Sequence, residues 1–196
     1  HRLAFSQLTL DHSPSGAGQK QEIIIPRKTI LECQHLLSDG DDPLEISLSG
    51  NQIKLSFGEI ELISKLVEGK FPDYQRVIPK GHKNTLVVGR ETLQAALQRA
   101  AILTTEKFKG VRFSLSSSKI TIQSTNAEQE EAQEEIETKY DGEPVEIGFN
   151  VTYLLDVLAN IKNNEIQISL GDANSSAIIT LPGSESFKYV VMPMRI

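Results

Sequence analysis

Hydrophobic residues along this chain follow two spacings, and the switch between them recurs. Val151, Leu154, Leu155 and Leu158 fall at i, i+3, i+4 and i+7, one apolar stripe of an amphipathic helix. Leu93, Ala96, Leu97 and Ala100 repeat that spacing. A third helical segment begins at Pro26, a residue suited to the first helical position because its missing N–H leaves no bond unmade there. A short apolar run leads into each helix, at 23–25, 86–88 and 145–149. Behind each helix the pattern changes to apolar residues alternating with polar ones. It covers 44–49, 52–57 and 60–67, then 111–116, 119–125 and 134–140, then 165–170, 176–181 and 186–191. Alternation over runs of this length predicts half-buried antiparallel strands. Ser49-Gly50-Asn51 supplies a tight turn, while Ser116-Ser117-Ser118 and Gly171-Asp172 read as polar loops.

The three segments are copies of one plan. Aligning Arg27 with Arg90, and Val88 with Phe149, sets a period of about 62 residues. Each unit is predicted as strand, helix, then three strands, an α+β class of fold. One helix on one small sheet leaves an apolar face that a single unit cannot bury, so units should pair, helix against helix beneath their sheets. The second and third units then form one domain over 83–196. The first, over 1–67, is the C-terminal part of a domain whose other half would lie upstream, with 1–10 as that half's last strand. Between them, 68–82 carries two prolines and two glycines around Phe71 and Tyr74, and reads as an extended linker that docks its aromatic rings on both domains.

Composition narrows the function. Of 196 residues, 39% are hydrophobic and 23% charged, which fits a globular protein. No window of apolar residues is long enough to span a membrane. A single cysteine, Cys33, excludes an internal disulfide framework and suits a reducing cytoplasm; on its helix it reads as a small core residue. The net charge of -6 argues against a surface coated for nucleic acid but leaves room for a local basic lining. His1, His12, His35 and His82 have no metal-ligand spacing, and neither a phosphate-cradling glycine loop nor a nucleophile elbow is present. A non-catalytic protein without cofactor or metal is therefore expected. The opening His1-Arg2-Leu3-Ala4, without Met, reads as a cut through something longer.

Phe71-Pro72-Asp73-Tyr74, the run at 99–103 with Glu106-Lys107-Phe108-Lys109-Gly110-Val111-Arg112, and the ending Met192-Pro193-Met194-Arg195-Ile196 resemble the bacterial DNA polymerase III sliding clamp, the beta subunit, over essentially the whole chain. The resemblance implies the DNA-clamp fold, with helices packed under antiparallel sheets. It implies a processivity factor: a ring of two identical subunits that encircles duplex DNA and tethers replicative and repair polymerases and the clamp loader. The chain would then hold the end of the middle domain and the whole C-terminal domain.

Carried onto matching positions, the clamp's peptide-binding groove comprises His1, Arg2, Leu3, Pro72, Arg76, Val77, Asn150, Tyr153, Ser176, Val190, Val191, Met192, Pro193, Met194 and Arg195. A partner motif with a glutamine and large apolar residues would bury its anchors between Val77, Val191 and Met192, each worth roughly 1.5–3 kcal/mol. The flexible, polarizable methionines suit a surface that accepts several peptides. The subunit interface would use Ile102 and Leu103 beside Glu128, Glu130, Glu131 and Glu134; without the resemblance, such an acidic run is ordinarily a solvated face. Arg27, Lys28, Gln94, Gln98, Arg99 and Lys162 on or beside the helices would face DNA and touch phosphates without reading bases. The alternative from a different class is a freestanding peptide-binding adaptor that never touches DNA.

Overall fold

The computed structural model, which describes residues 1–10, 20–37, 43–105 and 108–196, forms helices at all three expected positions: α1 (Arg27–Leu36), α2 (Arg90–Ala101) and α3 (Val151–Ala159). Asn150 caps α3 by accepting a hydrogen bond from the Thr152 amide at 3.0 Å. Glu91 in the first turn of α2 and Arg99 in its last complement the helix dipole. Two compact units result, one made of His1–Thr9 with Tyr74–Ile196, the other of Leu10–Asp73.

In the larger unit a five-stranded antiparallel sheet runs β1 (Arg2–Ser6), β12 (Ser184–Val191), β11 (Ala177–Leu181), β10 (Glu165–Leu170) and β5 (Asn84–Gly89). A four-stranded sheet runs β8 (Glu131–Glu137), β7 (Lys119–Thr125), β6 (Gly110–Ser116) and β9 (Val145–Asn150). The two predicted repeats exchange strands: β5, from the second repeat, pairs with β10 of the third, and β9, from the third, pairs with β6 of the second. Helices α2 and α3 pack on each other and on these sheets. Leu97, Ala100, Ile120, Ile122 and Leu158 are fully buried there, and Phe113 meets Phe149 edge-on at 5.5 Å.

The smaller unit holds α1 and a three-stranded sheet of β2 (Glu45–Ser49), β3 (Gln52–Phe57) and β4 (Ile60–Lys65). Its core is Cys33, Ile53, Leu55 and Phe57, and Thr29 Oγ1 lies 2.6 Å from Ser64 Oγ.

Two expectations change. Residues 23–25 are not a strand; the described residues give this run one ladder bond, from the Val67 amide to Ile24 O, and a strand needs a continuous partner. The last strand of the second repeat is Glu131–Glu137 rather than 134–140, because Ala132, Glu134 and Ile136 alternate inward against α2 and β7, which draws half the acidic run into the sheet. The first ten residues supply β1, whose Arg2–Ser6 ladder is with β12. Glu106, Lys107 and His12 lie outside the described residues.

Candidate protein-binding face and its flanking surfaces

Strand alternation sorts the end of β12 onto two faces. Tyr189 and Val191 point into the core with Ala177 and Ile179 beside them on β11. Val190 and Ile178 are buried but stand outside that core cluster, and the register Leu3↔Val190↔Ile178 puts three apolar side chains in one row across the opposite face. One step along, the Met192 amide donates to His1 O at 2.9 Å, so His1 and Met192 continue the same face, and Ser176 precedes Ala177 on β11. His82 Nε2 donates to Ser176 O at 2.7 Å and fixes that corner. In the other direction Phe5 pairs with Lys188, and Phe5 stacks on Tyr74 with ring centroids 5.9 Å apart. Tyr74–Arg76 is a short 3-10 turn whose Tyr74 O accepts from the amides of Val77 (3.0 Å) and Ile78 (3.3 Å), which ties Val77 to the turn that carries the ring stacked on Phe5.

The result is an apolar strip with a buried floor and loose rims. Val190 is 1% exposed, whereas Val77 and Met192 are 50% and 47% exposed. Val191, expected as an anchor wall, is fully buried in the core, and the alternation of β12 puts its neighbour Val190 on the opposite face.

Arg2 turns the other way, toward α3. Its guanidinium sits 4.5 Å from the centre of the Tyr153 ring and pairs with Asp156, whose hydrogen bond raises the arginine's pKa. The Tyr189 hydroxyl donates to Tyr153 O at 3.0 Å, and burial pushes that phenol up from its ordinary value. Beyond Val191 the tail crosses to the other sheet, where the Met194 amide donates to Gly148 O at 2.8 Å on β9. Pro193 and Met194 are half-buried and Arg195 is exposed. One unit contains every expected groove residue except Pro72, which belongs to Leu10–Asp73, but Arg2 and Val191 lie on the face opposite Leu3 and Val190.

The other two expected surfaces meet in one ion pair. Arg99, expected to face DNA, donates Nε and Nη2 to both carboxylate oxygens of Glu134 (2.8 and 2.6 Å), which was expected at a subunit interface. Those hydrogen bonds hold the Glu134 carboxyl below its ordinary range. Ile102 is 77% exposed at the end of α2 with Leu103 half-buried after it, and Glu128, Glu130 and Glu131 are exposed on and before β8, an edge strand of its sheet. Arg27 and Lys28 are exposed at the start of α1, Gln98 on α2 and Lys162 just after α3; Gln94 is half-buried and accepts from Arg90 Nη1 at 3.1 Å. Arg90 also donates Nε to Asn163 O at 3.0 Å, tying α2 to the loop that carries Lys162. Sequence reasoning passed over Arg90, Phe5 and Asp156. Only Phe5 left a signal, two residues from Leu3 on an alternating strand. Among the described residues, no group of three or more His, Cys, Asp or Glu could hold a metal ion.

Comparison with known proteins accounts for this arrangement. The chain is 44% identical over 196 residues to the beta sliding clamp of Pseudomonas putida and 43% identical over 197 aligned residues to that of Escherichia coli, in each case over its full extent. It spans about half the length of these relatives, 53% and 52%. A crystal structure of the Pseudomonas aeruginosa sliding clamp bound to griselimycin superposes with a TM-score of 0.93 at 44% identity, covering all of this chain and 52% of that one. The family model for the central domain of the DNA polymerase III beta subunit matches residues 1–73, and the model for its C-terminal domain matches residues 75–195. The chain belongs to the bacterial beta sliding clamp family, of which it carries central-domain and C-terminal-domain sequence.

Proposed function

We propose that the chain serves as the partner-binding half of a sliding clamp, a non-catalytic processivity factor. The observation that carries this reading is the strip of Leu3, Val190 and Ile178 with its exposed rims Val77 and Met192. A closed apolar floor with loose rims suits a short peptide that inserts a few large side chains and leaves its backbone in water. Polymerase subunits, the clamp loader and repair proteins would share the strip, each through a short motif with a glutamine and large apolar residues.

The remaining surfaces support the ring. An edge strand with outward Glu131, Glu135 and Glu137, next to exposed Ile102, suits a basic, apolar strand edge on a second subunit and repels a copy of itself. Arg27, Lys28, Gln98 and Lys162 offer phosphate contacts too few for tight binding, so linkage through a closed ring rather than affinity would hold DNA. A cytoplasmic location, beside the chromosome, follows from this role; no helix among the described residues is long and apolar enough to cross a membrane.

Fluorescence anisotropy with a labelled motif peptide tests the strip. Val190→Asp should abolish binding, and unchanged affinity would overturn the reading. For the ring, a protein carrying the family's preceding half as well should be retained on nicked circular DNA and slide off after linearisation. Equal retention on both would favour an adaptor that needs no ring.

A further inference from the structure

The strip does not stop at Leu3 and Val190. One pleat further along, Phe5 and Lys188 pair directly across β1 and β12, on the same face as Leu3 and Val190. Here the surface opens into a cleft of about 490 Å³ between Phe5, Ser6, Tyr74, Ile78, Lys80 and Lys188. Its floor is the stacked pair Phe5 and Tyr74, and Lys80 and Lys188 supply positive charge. The Lys188 side chain is 26% exposed, its stem covered and its ammonium held only loosely: Glu185 Oε2 lies 3.6 Å away, on a side chain 94% exposed. That is longer than a charge-assisted hydrogen bond, so an incoming carboxylate can take the ammonium at little cost.

We propose that this cleft is a second subsite of the partner groove, which receives an acidic residue and an aromatic neighbour from the segment flanking a partner's core motif. The inference rests on the peptide-binding reading of the Leu3–Val190 strip and deepens it. Continuity along two adjacent strands argues for the same ligand in both places. The aromatic floor separates a peptide from a nucleic-acid backbone, whose phosphates would use the lysines and leave Phe5 and Tyr74 uncovered. A partner with an acidic, aromatic flank would then hold an advantage over one with the same core motif and a neutral flank.

Three labelled peptides test this: the core motif alone, the motif with Asp-Phe before it, and the motif with Asp-Phe after it. One of the extended peptides should bind about fivefold more tightly than the core. That gain should shrink in ~1 M salt. Lys188→Glu should remove the gain while leaving the core peptide's affinity unchanged, and Lys80→Glu, on a loop where folding is not at stake, should reduce it. Absence of a gain from either extension, or a gain that survives both charge reversals, overturns the subsite while leaving the core groove standing. The same holds if the reversals weaken DNA retention and leave extended peptides untouched. Failure of the core peptide itself would instead overturn the groove.

Discussion

Gly148 is a glycine for reasons of space. It lies in the middle of β9, and an added Cβ would fall 2.3 Å from Met194 O and 2.7 Å from both Cγ1 and Cδ1 of Ile196. Even a close C–H···O contact needs about 3.3–3.6 Å, so Gly148→Ala must drive the tail outward by about 1 Å. The movement strains or breaks the 2.8 Å bond from the Met194 amide to Gly148 O, worth about 1 kcal/mol. It also lifts Ile196, now 47% exposed, off the sheet, at a cost of about 1 kcal/mol for half a buried side chain. Together about 2 kcal/mol is lost, which should lower Tm by about 4–8 °C and leave a folded protein. Because Met192, at the start of this tail, is one rim of the proposed binding face, affinity for a motif peptide should fall about tenfold. Differential scanning calorimetry gives the first number and anisotropy titration the second. Amide hydrogen exchange at Met194 reports the cause, since protection should disappear there while β10 and β11 keep theirs. A variant with unchanged Tm, unchanged affinity and a protected Met194 amide would show that the missing Cβ does not set the course of the tail.

Other perturbations separate the core from the surfaces. Leu158→Ala, at a fully buried position between the sheets, should cost about 2–5 kcal/mol in urea unfolding and leave peptide affinity unchanged under folding conditions. Tyr189→Phe removes the hydroxyl that donates to Tyr153 O, and should cost about 1 kcal/mol by thermal melting. Glu134 is held below its ordinary value of 4.5, chiefly by the hydrogen bonds from Arg99, so its stabilising contribution is complete above that value and fades as pH falls through the folded-state pKa. Wild type should therefore exceed Glu134→Gln by a constant margin above about pH 6, and the margin should shrink as pH falls through the lowered folded-state pKa, read from chemical denaturation across pH. A margin that grows on acidification would contradict the assigned pairing.

Helices and paired strands were legible because amphipathic spacing is local. The stripe of Leu154 and Leu158 and the alternation through Ile120 and Ile122 need no knowledge of distant residues. What the sequence hid depends on partners far along the chain. Residues 23–25 have strand composition but form no ladder among the described residues, and composition does not reveal whether a strand has a neighbour. Glu131–Glu137 looks too acidic for a strand; only α2 and β7 covering one side make Ala132 and Ile136 its inward face. The tail motif pointed to the strip proposed above, but which valine shares a face with Leu3 depends on the register Leu3↔Val190, a pairing across most of the chain. The Arg99–Glu134 pair is invisible for the same reason: 35 residues apart, each reads by itself as part of a different surface.

The alternation at the end of β12 carries an evolutionary consequence. Val190 stands on the face opposite the core and Val191 in it, so adjacent codons answer to different selection pressures. If the proposed strip binds partners, substitutions at positions 188, 190 and 192 would retune which are accepted while the interior stays packed. A single inserted residue offers no such freedom, because it would exchange the two faces along the whole strand. Drift in partner preference should therefore proceed by replacement at every second position, with the length of this strand held fixed.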